Sequence, residues 1–84
     1  MPWQVRVTAR AERDLRLLPA SDRAAVRDAI QSLEADPSSV DLRKLSGARA
    51  EWRVRVGRWR IRLSLDEDTM YVVRVLQRKD AYRD

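Results

Sequence analysis

Between Trp52 and Leu63 the chain alternates apolar and cationic residues on either side of a Gly-Arg pair: Trp-Arg-Val-Arg-Val-Gly-Arg-Trp-Arg-Ile-Arg-Leu. Such alternation marks a strand with one buried face, because successive side chains point to opposite sides of a sheet. Glycine at the first central position suits a two-residue type II′ turn, so Gly57-Arg58 should close a hairpin. That register sets Val56 opposite Trp59, Val54 opposite Ile61 and Trp52 opposite Leu63, all on one face. The other face then holds Arg55 opposite Arg60 and Arg53 opposite Arg62.

Like charges directly opposite one another destabilise a sheet, and stability alone would favour Glu or Thr between them. Four guanidinium groups on one small face therefore point to a polyanion, with nucleic acid the leading candidate. A solvated basic face that guards the strands against aggregation is the alternative. The charge distribution favours the former. Residues 1–42 hold 6 Arg against 7 acids, whereas residues 43–83 hold 12 Lys plus Arg against 5 acids. The net charge of +5 thus belongs to the half that contains the hairpin, which suits binding and steering of a polyanion.

Absence of residue types narrows the chemistry. The chain has no Cys and no His, which excludes disulfides, thiol chemistry and Cys/His zinc sites. It also removes the commonest general acid–base at neutral pH. Any catalysis must use Arg, Lys, Tyr, Asp, Glu, Ser or Thr, and neither a metal nor a cofactor is expected. No apolar run approaches a membrane span, and the N-terminus lacks the apolar stretch of a signal peptide, so cytoplasm is the expected location.

Eighty-four residues make one expected domain, spanning 1–84. Trp3, Val5 and Val7 alternate with polar residues and predict a first strand. Thr8 should cap a helix over roughly 9–18, ended by Pro19, with Ala11, Leu15 and Leu18 inward. Ser21 should cap a second helix over roughly 22–35, with Val26, Ala29, Ile30 and Leu33 inward. Residues 36–51 lack periodicity; Leu42 and Leu45 should reach the core edge, and Ser46-Gly47 reads as a turn. In the last strand, Tyr71, Val73 and Val75 should share the inner face with Leu63 and Leu65, which requires an odd loop such as Glu67-Asp68-Thr69. That loop sets Arg62 opposite Arg74 and leaves Leu76 on the arginine face beside Val72. The expected fold is α+β: a small antiparallel sheet with a helical hairpin on one face, in the order β-α-α-β-β-β.

The C-terminus, Gln77-Arg78-Lys79-Asp80-Ala81-Tyr82-Arg83, sets a Tyr among cations beside the arginine face. Tyr stacks on unpaired bases and Arg holds phosphate bidentately, although a ring that lids the core edge fits equally well. With the Lys44-Leu45-Ser46-Gly47 segment, Trp52-Arg53-Val54-Arg55-Val56 and Trp59-Arg60, this tail resembles the RelE branch of the RelE/ParE toxin superfamily. The resemblance covers nearly the whole chain.

That resemblance implies the toxin of a type II toxin–antitoxin system, a ribosome-dependent endoribonuclease that cuts messenger RNA in the A site. The 2′-hydroxyl attacks the adjacent phosphate and the 5′-oxygen leaves. The resemblance implies catalytic roles for Arg60, Arg78 and Tyr82. RNA-binding roles fall on Arg53, Arg55, Arg62, Arg74, Lys79 and Arg83. Many relatives carry His where this chain has Gln77, and the family's second-strand lysines are Arg53 and Arg55 here. Arginine keeps its proton, so these groups suit a clamp on the pentavalent phosphate rather than a base. Tyr82, Asp80 or ribosomal RNA remain candidates for the base. The implied partners are messenger RNA on the ribosome and a cognate antitoxin with an acidic, helix-rich segment, in a possible hetero-oligomer. Two other functions stay open: ParE-like inhibition of DNA gyrase by binding, and a non-catalytic nucleic-acid-binding module.

Overall fold

The computed structural model describes residues 4–45, 51–77 and 79. Its elements run β1 (Gln4–Val7), α1 (Ala9–Arg16), α2 (Ala20–Ala35), a 3-10 turn (Pro37–Ser39), β2 (Asp41–Lys44), β3 (Glu51–Val56), β4 (Trp59–Asp66) and β5 (Thr69–Gln77). The strands form one sheet in the order β1-β5-β4-β3-β2. It is mixed rather than antiparallel, because β1 lies parallel to β5 while the other neighbours are antiparallel. The fold class is α+β as expected. β2 is an addition to the expected order. At four residues with only Leu42 turned inward, it is too short to display a period.

The β3–β4 hairpin has the register required by its alternation: Val56 pairs with Trp59, Val54 with Ile61, Trp52 with Leu63, Arg55 with Arg60 and Arg53 with Arg62. Gly57 sits at φ 57°, the left-handed conformation that a primed turn needs at this position. The second hairpin differs from expectation. Its loop is two residues, Glu67-Asp68, with Glu67 itself at φ 56°. A bulge then restores the parity. Leu63 faces Val72 and Arg62 faces Arg74, so Val73 is the extra residue. Met70 and Val72 consequently fill the core in place of Tyr71 and Val73, while Val75 points inward as expected.

The apolar face packs under the two helices. Ala11, Leu15 and Leu18 from the first helical segment meet Val26 and Leu33 from α2, over Val54, Ile61, Leu63, Met70, Val72 and Val75. Thr8 caps α1 by accepting from the Ala11 amide at 3.2 Å. The start of α2 differs: Pro19 is its N-cap, and Ser21 lies within the first turn. Arg23 then joins the helices. Its guanidinium donates to the carbonyls of Leu15, Arg16 and Leu18 at 3.0, 3.3 and 2.9 Å, satisfying acceptors that a helix end leaves free. Arg27 and Glu12 add an exposed ion pair at 3.1 Å.

Two carboxylates close strand edges that the sheet leaves open. Glu34 accepts from the Val5 amide at 3.1 Å on the outer side of β1. Beyond the end of β1, Asp14 takes the place of a neighbouring strand. One of its oxygens accepts from the Val75 amide and from Arg74 Nε, each at 2.9 Å. Thr8 holds the same edge through Val72, whose carbonyl accepts from the Thr8 amide at 3.0 Å and its hydroxyl at 2.9 Å. Asp14→Ala removes the acceptor of the part-buried Val75 amide and one partner of Arg74, and should cost about 3 kcal/mol in urea unfolding. Asp14→Asn keeps an acceptor for Val75 and should lose roughly half as much.

Candidate nucleic-acid interface

Strand register builds the face opposite the helices. Arg43 on β2 pairs with Arg53, Arg53 with Arg62, and Arg62 with Arg74, so one row of arginines crosses four adjacent strands. The neighbouring row runs Asp41, Arg55, Arg60 and Leu76. Each arginine of the hairpin alternates with a core residue, Val54 or Ile61 among them, which turns it outward.

Carboxylates at the margins moderate the like-charge repulsion. Asp41 lies 3.2 Å from Arg43 Nε, Glu51 lies 3.8 Å from Arg62 Nη2, and Asp14 holds Arg74. The exposed Arg43–Asp41 pair contributes at most about 1 kcal/mol, so phosphate can displace Asp41 at small cost. Asp14 is different, since it also anchors the β5 backbone. Arg74 is therefore committed to the fold as well as to the face. Arg55 is exposed and has no ion pair among the described residues.

Arg60 is the most deeply buried of these arginines. Its position in the register is on the outer face, yet only 1% of its surface is exposed, and its Nε and Nη1 are buried without a hydrogen-bond partner. A buried cation with idle donors is costly. Such a group binds an anion strongly, because the anion regains those bonds in a setting where water competes poorly. Arg60 thus takes its expected place on the outer face of the sheet, as a recessed guanidinium among exposed or half-buried arginines.

The remaining site candidates fall in two groups. Lys79 is described and exposed. Arg78, Tyr82 and Arg83, like Asp80 and the Ser46-Gly47 turn, lie outside the described residues. Arg58 belongs to the hairpin turn instead of the face: it pairs with Asp22 at 3.1 Å and lies 5.5 Å from the Trp59 ring centroid. Arg43 was not among the candidates. Its only sequence signal is the triplet Asp41-Leu42-Arg43, one alternation deep. Leu76 is half-buried and borders a groove of about 240 Å³ with Leu17, Leu18, Trp59 and Val75. Val72, expected beside it, is fully buried in the core. Among the described residues there is no His/Cys/Asp/Glu group suited to a metal ion, and no helix long and apolar enough to cross a membrane.

Known proteins share this architecture. The family model described as the ParE toxin of type II toxin–antitoxin systems matches residues 5–82. Toxin RelE3 of Methanocaldococcus jannaschii is 31% identical over 74 residues, covering 83% of this chain and 84% of the relative. The RelB–RelE antitoxin–toxin complex from Methanococcus jannaschii contains a chain with TM-score 0.78 and 26% identity, with 92% of this chain and 94% of that chain covered. The toxin–antitoxin complex RelBE2 from Mycobacterium tuberculosis gives TM-score 0.78 and 30% identity, with 93% and 100% covered.

Burial of Arg60 makes a distinct prediction. Arg60→Met replaces an unsatisfied cation by an apolar chain of similar length, and should be neutral or stabilising by about 0–2 kcal/mol. Sulfate should raise the melting temperature of the parent protein and have a much weaker effect on the variant. An unfolded variant, or equal sulfate responses, would contradict a recessed anion-binding role.

Proposed function

This chain belongs to the RelE/ParE superfamily of type II toxin–antitoxin toxins, as a RelE-type member, and on that premise we propose that it is a ribosome-dependent endoribonuclease that cuts messenger RNA in the A site. The observation that carries this reading is the recessed Arg60 with two idle donors, set within an arginine face. Arg53, Arg55 and Arg62 hold the RNA backbone there, with Arg74, Lys79 and Arg83 adding positive charge around it. Arg60 neutralises the phosphate that becomes pentavalent, and Arg78 assists it. Fixed donors aimed at developing charge are the strongest device available to a site without His. The 2′-hydroxyl attacks the phosphorus, its proton passes to a base, and the 5′-oxygen leaves with a proton. Tyr82 stacks on a base next to the scissile bond; Tyr82, Asp80 and ribosomal RNA are the candidate bases. In-line positioning supplies part of the rate. Action on ribosomes places the protein in the cytoplasm.

The partner that restrains it is an antitoxin with an acidic, helix-forming segment. Such a segment complements the arginine face by charge and folds on binding, with Leu17 and Leu76 offering apolar contact at the rim. A second reading, ParE-like inhibition of DNA gyrase, is favoured by the description of the matching family model.

A short pulse of expression followed by mapping of cellular RNA ends separates these readings. Codon-phased cuts within reading frames support the endoribonuclease, and Arg60→Met should reduce them by roughly 100-fold. DNA damage with intact messages supports the gyrase reading instead. Growth arrest with neither outcome would leave a binding protein without cleavage.

A further inference from the structure

Resting on the reading of the arginine face as an RNA surface, we infer that Arg43 is a second phosphate site on the edge strand. It binds the RNA backbone at a distance from the scissile phosphate, and Asp41 sets its strength.

The observation is the unbroken row Arg43–Arg53–Arg62–Arg74, which runs perpendicular to the strands. Strands lie about 4.8 Å apart and residues rise about 3.4 Å, so the row spans roughly 14 Å and Arg43 sits roughly 12 Å from Arg60 along the sheet. That separation between backbone positions leaves room for Arg60 to hold the scissile phosphate and for Arg43, extended from the edge strand, to hold a neighbouring one. A single strand laid across the sheet meets both, with Arg62 and Arg53 between them. A duplex presents its phosphates on two rails and is a poorer match to one narrow row.

Arg43 has no comparable task in the fold. Its side chain is 69% exposed, it lies on an edge strand, and its ion pair with Asp41 is open to water. Asp41 also sits opposite Arg55, so one carboxylate faces two of the cations at this end of the face. It competes with phosphate for both. The alternative for Arg43 is edge protection, in which a cation on an outer strand deters pairing between molecules. That role requires charge but no RNA.

The test uses full-length protein and a ten-nucleotide single-stranded RNA with 2′-O-methyl groups throughout, which cannot be cleaved, with anisotropy read across a potassium chloride series. Each phosphate contact on a single strand contributes about 0.7 to the logarithmic salt slope, so Arg43→Ala should lower the slope by about that amount. Arg43→Lys should retain it, and Asp41→Asn should tighten binding several-fold at fixed salt. Arg10→Ala, on the exposed side of α1, is the control and should leave the slope unchanged. On ribosomes programmed with a vacant A site, Arg43→Ala should raise the half-saturating toxin concentration and change the maximal cleavage rate less than about two-fold. An Arg43→Ala slope equal to that of the control, with or without aggregation, overturns the inference and leaves the endoribonuclease reading intact. RNA binding with the expected slope change but no cleavage by the parent protein overturns that reading and sustains the second phosphate site. No RNA binding by the parent protein at low salt overturns the inference.

Discussion

A slip of one residue between β3 and β4 would turn the arginines of one strand into the core, either Arg53 and Arg55 with Val54 exposed or Arg60 and Arg62 with Ile61 and Leu63 exposed. The register is held against that slip at both scales. Locally, Gly57 adopts a left-handed conformation that few other residues tolerate, and the turn can form in one place only. Globally, burying the apolar set under α1 and α2 is favourable in one register and ruinous in the other. Everything functional follows from this choice, because the same pairing that fills the core aligns the guanidinium groups opposite.

The second requirement is that β5 keep its neighbours in phase. Its bulge at Val73 shifts the strand by one residue, so that Met70 and Val72 are buried before it and Val75 after it. A bulge interrupts a ladder and leaves backbone groups in need of partners. Asp14 supplies one, to Val75, and through the same oxygen fixes Arg74 in line with Arg62. Arg23 secures the end of α1 that brings Asp14 to this edge. Helical hairpin, bulge and arginine row are in this sense one mechanical unit, and the like-charge cost of the row is offset by Asp41, Glu51 and Asp14.

Legibility in the sequence tracked the strength of local signals. The first hairpin was legible to the residue, since a glycine turn and two alternating runs agree. The helices were legible within a few residues through Thr8, Pro19 and the spacing of Leu15, Val26 and Leu33. The second hairpin was not, because Glu67 carries no sign that it adopts φ 56°, and a bulge leaves no trace in composition. The odd parity was inferred correctly and assigned to the wrong place, which moved Tyr71 and Val73 to the wrong face while leaving Arg74 and Leu76 right. β2 was invisible for lack of length, and Arg43 with it. Burial of Arg60 depends on what surrounds it in three dimensions, and no spacing rule reports that.

If RNA meets the sheet face, it does so through arginines held in register. Arginine Nε–Hε resonances, assigned and followed while an uncleavable single-stranded RNA is titrated, report each guanidinium separately. Binding across the sheet face should give large shifts for Arg53, Arg55, Arg60 and Arg62, with the exposed helical Arg10, Arg13 and Arg27 unmoved. Shifts concentrated on the helical arginines, with Arg60 unaffected at saturation, would contradict it.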